Sequence, residues 1–117
     1  MSQYFKESEF DCKCGCGLNN ISPELVAQLD EARGLYKKPM VIESGSRCPA
    51  HNKAVGGKRT SAHRKGEAAD IRCATDSDRY RLTNIFYLLG FKRVGKGKNF
   101  IHVDISKTLP QDVEWLY

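Results

Sequence analysis

Near its C-terminal end the chain reads "NFIHVDI", a strict alternation that puts Phe100, His102 and Asp104 on one face of an extended strand and Ile101, Val103 and Ile105 on the other. Such a strand is stable when a core covers its apolar face. Its other face then presents a histidine and a carboxylate to solvent or to a cleft. With 117 residues, 40% of them hydrophobic, the chain has material for one modest core. No repeat, low-complexity tract or linker divides it, so a single domain over residues 1–117 is expected.

The rest of the chain supplies partners for that strand. Ser22 to Lys38 reads as a helix: Ser22 caps it, Pro23 suits the first turn and Glu24 meets the positive end of the dipole. Leu25, Val26, Leu29, Ala32 and Tyr36 share one face at helical spacing. "MVIES" (Met40 to Ser44) is a short β-prone run, followed by a glycine turn, a short helix from Pro49 and a stop at Gly56 and Gly57. "EAADIRC" reads as the next strand. A second main helix runs from about Asp76 to Leu89, with Ile85, Phe86, Leu88 and Leu89 building its apolar face and Gly90 ending it. "FKRVG" and "NFIHVDIS" then form a hairpin across a glycine and lysine turn. The expected fold is α+β, a small and mainly antiparallel sheet with two main helices.

No apolar run approaches the roughly 20 residues that span a bilayer. "MSQYFKESEF" carries no basic patch followed by an apolar core, so a soluble protein made in the cytoplasm without a secretory signal is expected, with no membrane insertion. Nineteen Lys and Arg against fourteen Asp and Glu give a net charge of +5, a mild preference for anionic partners. The basic residues are dispersed and lack aromatic interleaving, which argues against specific nucleic-acid binding.

Five cysteines are present: Cys12, Cys14 and Cys16 in "CKCGCG", then Cys48 and Cys73. Without an export signal the thiols are expected to be reduced. The cluster could bind a structural zinc together with Cys48 or Cys73, although its spacing is not that of a CxxC knuckle. Buried or free thiols are the plainer alternative, and an oxidising exterior would permit disulfides.

Only three histidines occur, His51, His63 and His102. A catalytic zinc takes about three imidazole or carboxylate ligands and keeps one position open. His63 in "SAHRKGEAAD", Asp70 at the end of that stretch and His102 on the late strand make such a set. Gly66 allows a sharp turn, and the small Ala68 and Ala69 let Asp70 come back toward His63.

The stretch "SGSRCPAHNKAVGGKRTSAHRKGEAADI" followed by "FIHVDI" closely resembles the zinc D-Ala-D-Ala carboxypeptidase family, which includes phage peptidoglycan endopeptidases and is structurally related to the hedgehog signalling domain. The resemblance runs from about Phe10 to Ser106. It implies that His63 and Asp70 bind zinc and that a late-strand histidine, here His102, is the third ligand. Relatives often carry a Glu or Asp three residues before the last ligand, where this chain has Asn99. Others carry a His-x-His pair whose second histidine binds metal, a register that would make Asp104 the ligand and His102 the catalytic group. Neutral imidazole is the stronger donor, which favours His102 as ligand and Asp104 as base or supporting partner.

Arg47 also matches a functional position of the family and could grip a peptide carboxylate or stabilise an oxyanion. Ser61 and His51 are weaker candidates for the site lining. The function implied is a zinc peptidase cutting D-amino-acid-containing stem peptides or crosslinks of peptidoglycan, as a phage-type endolysin or muralytic enzyme reaching the wall through another protein's pore. A zinc-containing binding module of the same fold that cuts nothing is the alternative.

Overall fold

Helix α1 (Pro23–Tyr36) starts where Ser22 Oγ accepts from the Leu25 N–H at 3.4 Å and Pro23 occupies the first turn. It ends two residues before the expected Lys38, because Lys37 turns into the left-handed region at φ 61°. Described as a computed structural model covering residues 2–117, the chain continues through β1 (Ile42–Ser44), α2 (Pro49–Ala54), β2 (Ala68–Arg72), α3 (Asp76–Leu88), β3 (Arg93–Lys96), β4 (Phe100–Asp104) and β5 (Val113–Leu116). Short 3-10 turns cover Glu7–Phe10 and Ala62–Lys65.

The five strands form one sheet in the order β1-β2-β4-β3-β5. Every pairing is antiparallel except β3 with β5. This is the expected α+β architecture with two main helices, and the β3–β4 hairpin is present. The last strand is an addition: β5 was not read from the sequence. No helix among the described residues is long and apolar enough to cross a membrane.

Leu25, Leu29, Ala32 and Tyr36 of α1 and Leu82 and Phe86 of α3 are buried in one core with Ala69, Ile71, Val94, Ile101 and Val103 of the sheet. Alternation therefore puts the opposite residues of the strands on the far face: Ala68 and Asp70 on β2, His102 and Asp104 on β4. The register sets Asp70 beside His102 and Ala68 beside Asp104. One helix-covered face stabilises the sheet, and the other is free to carry polar chemistry.

Candidate active site

Three segments bring side chains to the polar face. The 3-10 turn at Ala62–Lys65 starts with Ser61 Oγ accepting from the His63 N–H at 3.3 Å, and it holds His63 over β2. Strand β2 supplies Asp70 and strand β4 supplies His102. His63, Asp70 and His102 are all buried, and one potential ligand atom from each lies within 4.8 Å of the other two. Asp70 Oδ1 is 3.2 Å from His63 Nε2 and 3.0 Å from His102 Nδ1.

The outer ring nitrogens define which atoms face inward. His63 Nδ1 lies 2.8 Å from the Gly45 carbonyl oxygen, which can only accept, so Nδ1 carries the proton. His102 Nε2 lies 2.7 Å from Asp104 Oδ2, a contact that again calls for a proton on the imidazole. In the neutral rings the inward atoms are then two nitrogen lone pairs and a carboxylate oxygen. Three acceptors face one another, an arrangement a cation satisfies. Imidazole and carboxylate donors also suit zinc, and both histidines have the outer-shell partner that fixes a metal-binding tautomer.

Electrostatics follow from the same contacts. Burial disfavours a charged Asp70, but donation from the His102 and His63 rings in their protonated forms outweighs that and holds the carboxyl well below the usual range. Burial likewise works against a charged His102, yet hydrogen bonds to Asp104 and Asp70 push its pKa up from 6.5. In metal-free protein the His102 imidazole is accordingly expected to titrate above 6.5, read from its ring-proton shifts against pH by NMR. A raised folded-state pKa contributes stability that is fully present below the unfolded value and lost as pH rises through the folded one. A metal ion bound here would have to displace that proton, so its affinity would fall as pH falls.

Arg47 and Asp104 take definite places. Arg47 reaches Asp70 Oδ2 at 3.2 Å, Ser44 Oγ at 3.1 Å and Asn52 Oδ1 at 3.3 Å. Three of its five N–H donors are thereby used and two are left. Asp104 sits behind His102. Its Oδ2 accepts from the imidazole, while its Oδ1 accepts from Arg93 Nε at 2.8 Å and from the Ser106 N–H at 3.1 Å.

These residues line a cleft of about 920 Å³. Ser61 borders it, whereas His51, on α2, is not part of the lining. Sequence reasoning missed Arg93, Trp115 and Tyr117, all of which border the cleft. Trp115 stands 5.3 Å from the His102 ring centroid, and the Arg93 guanidinium lies 5.0 Å over the indole. The signal was available in "VEWLY", where Val113, Trp115 and Tyr117 alternate with Glu114 and Leu116. Gly95 makes room for it, since a Cβ there would sit 2.5 Å from Trp115 Nε1.

The decisive comparison is with protein families. A family model described as Peptidase M15 matches residues 3–104, which takes in Arg47 and the three segments that carry His63, Asp70 and His102. The chain belongs to the peptidase M15 family. M15 peptidases are zinc-dependent metallopeptidases, and the donor set found here is chemically suited to that ion. No curated protein matches the chain. The M15 match ends at the close of β4, so Trp115 and Tyr117 lie outside it.

Proposed function

We propose that this M15 protein hydrolyses peptide bonds in bacterial peptidoglycan, using a zinc ion held by His63, Asp70 and His102. The observation that carries this reading is the inward convergence of two imidazole lone pairs and one carboxylate oxygen beside an open cleft. Zinc in such a site supplies Lewis-acid chemistry, polarising an amide carbonyl and acidifying water.

The chain's own residues do the remainder. Asp70 is oriented by Arg47, so one oxygen is left for the metal and the other is committed to the guanidinium. The two remaining Arg47 donors offer a bidentate grip on a substrate carboxylate. Arg93 and Lys58 also border the cleft, giving it a positive lining suited to stem peptides rich in carboxylates. Trp115 and Tyr117 offer flat apolar surface for the peptide chain.

Sequence reasoning would give Asp104 the proton of the attacking water. Its geometry supports a different part, because both oxygens are engaged and the side chain has no solvent exposure. We assign it to holding His102 in the ligating tautomer, with Arg93 holding Asp104 in turn. Asp104→Asn should then weaken zinc binding by about 10–100-fold, with much of the lost activity returning at saturating zinc. Measuring zinc affinity and turnover together distinguishes this from a base, whose loss would leave affinity intact and activity unrecoverable.

Purified muropeptides incubated with the protein, with chelator and with restored zinc, test the activity itself, the products being identified by mass. Zinc-dependent release of a D-amino acid would specify carboxypeptidase action, and scission of a crosslink or internal stem bond would specify endopeptidase action. A phage-type muralytic setting rests on the resemblance and predicts clearing of purified wall suspensions. The second reading, a zinc module that binds without cutting, draws on one specific observation. Asp70 and Asp104 are the only carboxylates among the described residues lining the cleft, and both are engaged. Intact muropeptides after incubation with zinc-loaded protein would select it.

A further inference from the structure

A second cluster of ligand-type side chains lies outside the cleft and plays no part in the chemistry above. Cys12, Cys14, Cys16 and Cys48 bring their four sulfurs within 4.8 Å of one another. Cys14 Sγ is 3.5 Å from Cys12 Sγ and 3.6 Å from Cys48 Sγ. In an extended strand alternate residues stand nearly 7 Å apart, so three thiols at positions 12, 14 and 16 would form a row. Here Gly15 and Gly17, at φ 84° and 87°, bend the chain, and the Gly15 N–H donates to the Cys12 carbonyl at 3.2 Å. The row becomes a cup that closes on Cys48.

We propose that these four cysteines bind a structural zinc ion as a tetrathiolate, separate from the His63, Asp70 and His102 centre. Zinc–sulfur bonds of about 2.3 Å place the corners of a tetrahedron about 3.8 Å apart, which is the spacing the neighbouring sulfurs already approach. A disulfide needs sulfurs at about 2.05 Å, so these contacts are those of unbonded thiols. Two backbone donors are aimed at the cluster: the Cys48 N–H at Cys12 Sγ, 3.4 Å, and the His51 N–H at Cys48 Sγ, 3.3 Å. Such donors stabilise the negative charge of a thiolate. The fifth cysteine is elsewhere: Cys73 is buried after β2 with its thiol directed at the Thr75 carbonyl.

Four protein ligands leave no open coordination position, so the ion is structural, and binding it displaces the thiol protons. What it fastens is informative. It joins the N-terminal segment to the loop from Gly45 to Cys48, whose Gly45 carbonyl orients His63 and whose Arg47 holds Asp70. The Ser46 N–H donates to the Phe10 carbonyl at 2.9 Å within the same junction. The ion would act as a staple for the loop that shapes the cleft.

Metal analysis of the full chain purified under reducing conditions tests this directly. Two zinc ions per wild-type chain are expected, one in Cys14→Ser and in Cys16→Ser, and one in Asp70→Ala. Cys73→Ser should keep two. Cobalt-loaded wild type and Asp70→Ala should both show intense thiolate-to-metal charge-transfer absorption, which Cys14→Ser loses. Because the cobalt signal is read in wild type, the test survives if a cysteine variant fails to fold. A wild-type chain whose four clustered thiols titrate freely in the presence of excess zinc, or whose mass shows a disulfide among them, would overturn the proposal. Both results can be obtained whether or not the cleft hydrolyses a peptide.

Discussion

Asp70→Ala is expected to abolish peptide hydrolysis, by more than about 1,000-fold in kcat/KM, and to remove zinc from the cleft while leaving the cysteine cluster loaded. Asp70 stands at the centre of the site: Oδ1 lies between two imidazoles and Oδ2 faces Arg47. No neighbouring carboxylate can replace it, since Asp104 is committed to His102 and Arg93. His63→Ala should have the same effect through the opposite ligand. Removing one partner of a largely buried ion pair also destabilises, by about 3–5 kcal/mol in the general case, although Arg47 keeps Ser44 and Asn52 as partners here. Asp70→Asn preserves the shape and separates loss of ligation from loss of fold. Activity, metal content and circular dichroism on the same samples decide the matter, and hydrolysis by folded Asp70→Ala lacking cleft zinc would remove the metal centre from the mechanism.

Gly66→Ala is expected to cost about 2–5 kcal/mol of stability, combining the left-handed backbone penalty with overpacking. Gly66 sits at φ 69°, and a Cβ there would lie 2.0 Å from the Asn20 carbonyl oxygen. The neighbour is main chain, so it cannot swing aside as a side chain would. Moreover, the Gly66 carbonyl accepts from the Ser22 N–H at 2.7 Å, tying the turn to the cap of α1. Relief of the clash must therefore move either the start of that helix or the turn carrying His63. Against a typical total of about 5–15 kcal/mol, the loss is large. Urea unfolding with zinc present measures it. An unchanged midpoint would show that the turn can open without cost.

Several elements were legible in the sequence because their causes are local. Ser22 with Pro23 specifies the start of α1, and the alternation in "NFIHVDI" assigns β4 its buried and polar faces. His63, Asp70 and His102 are legible as a group from residue type and family pattern, and the atoms they could offer a metal lie close together. Arg93 was harder to see. Its position beside Asp104 depends on the β3–β4 register, which pairs Val94 with Val103, and a glycine and lysine turn does not specify that register on its own. Trp115 depended on recognising a short strand that pairs in parallel with β3, a contact between segments separated by β4 and a loop.

The sequence by itself determined the donors, their order along the chain and the faces their strands present, since side-chain chemistry and a period of two are properties of neighbouring residues. Only the tertiary structure decided how those donors are used. It set Asp70 opposite His102, placed Asp104 behind the imidazole rather than in front of it, and chose Cys48 over Cys73 to close the sulfur cup. Each of those outcomes is a distance between segments far apart in sequence, established by sheet register and core packing.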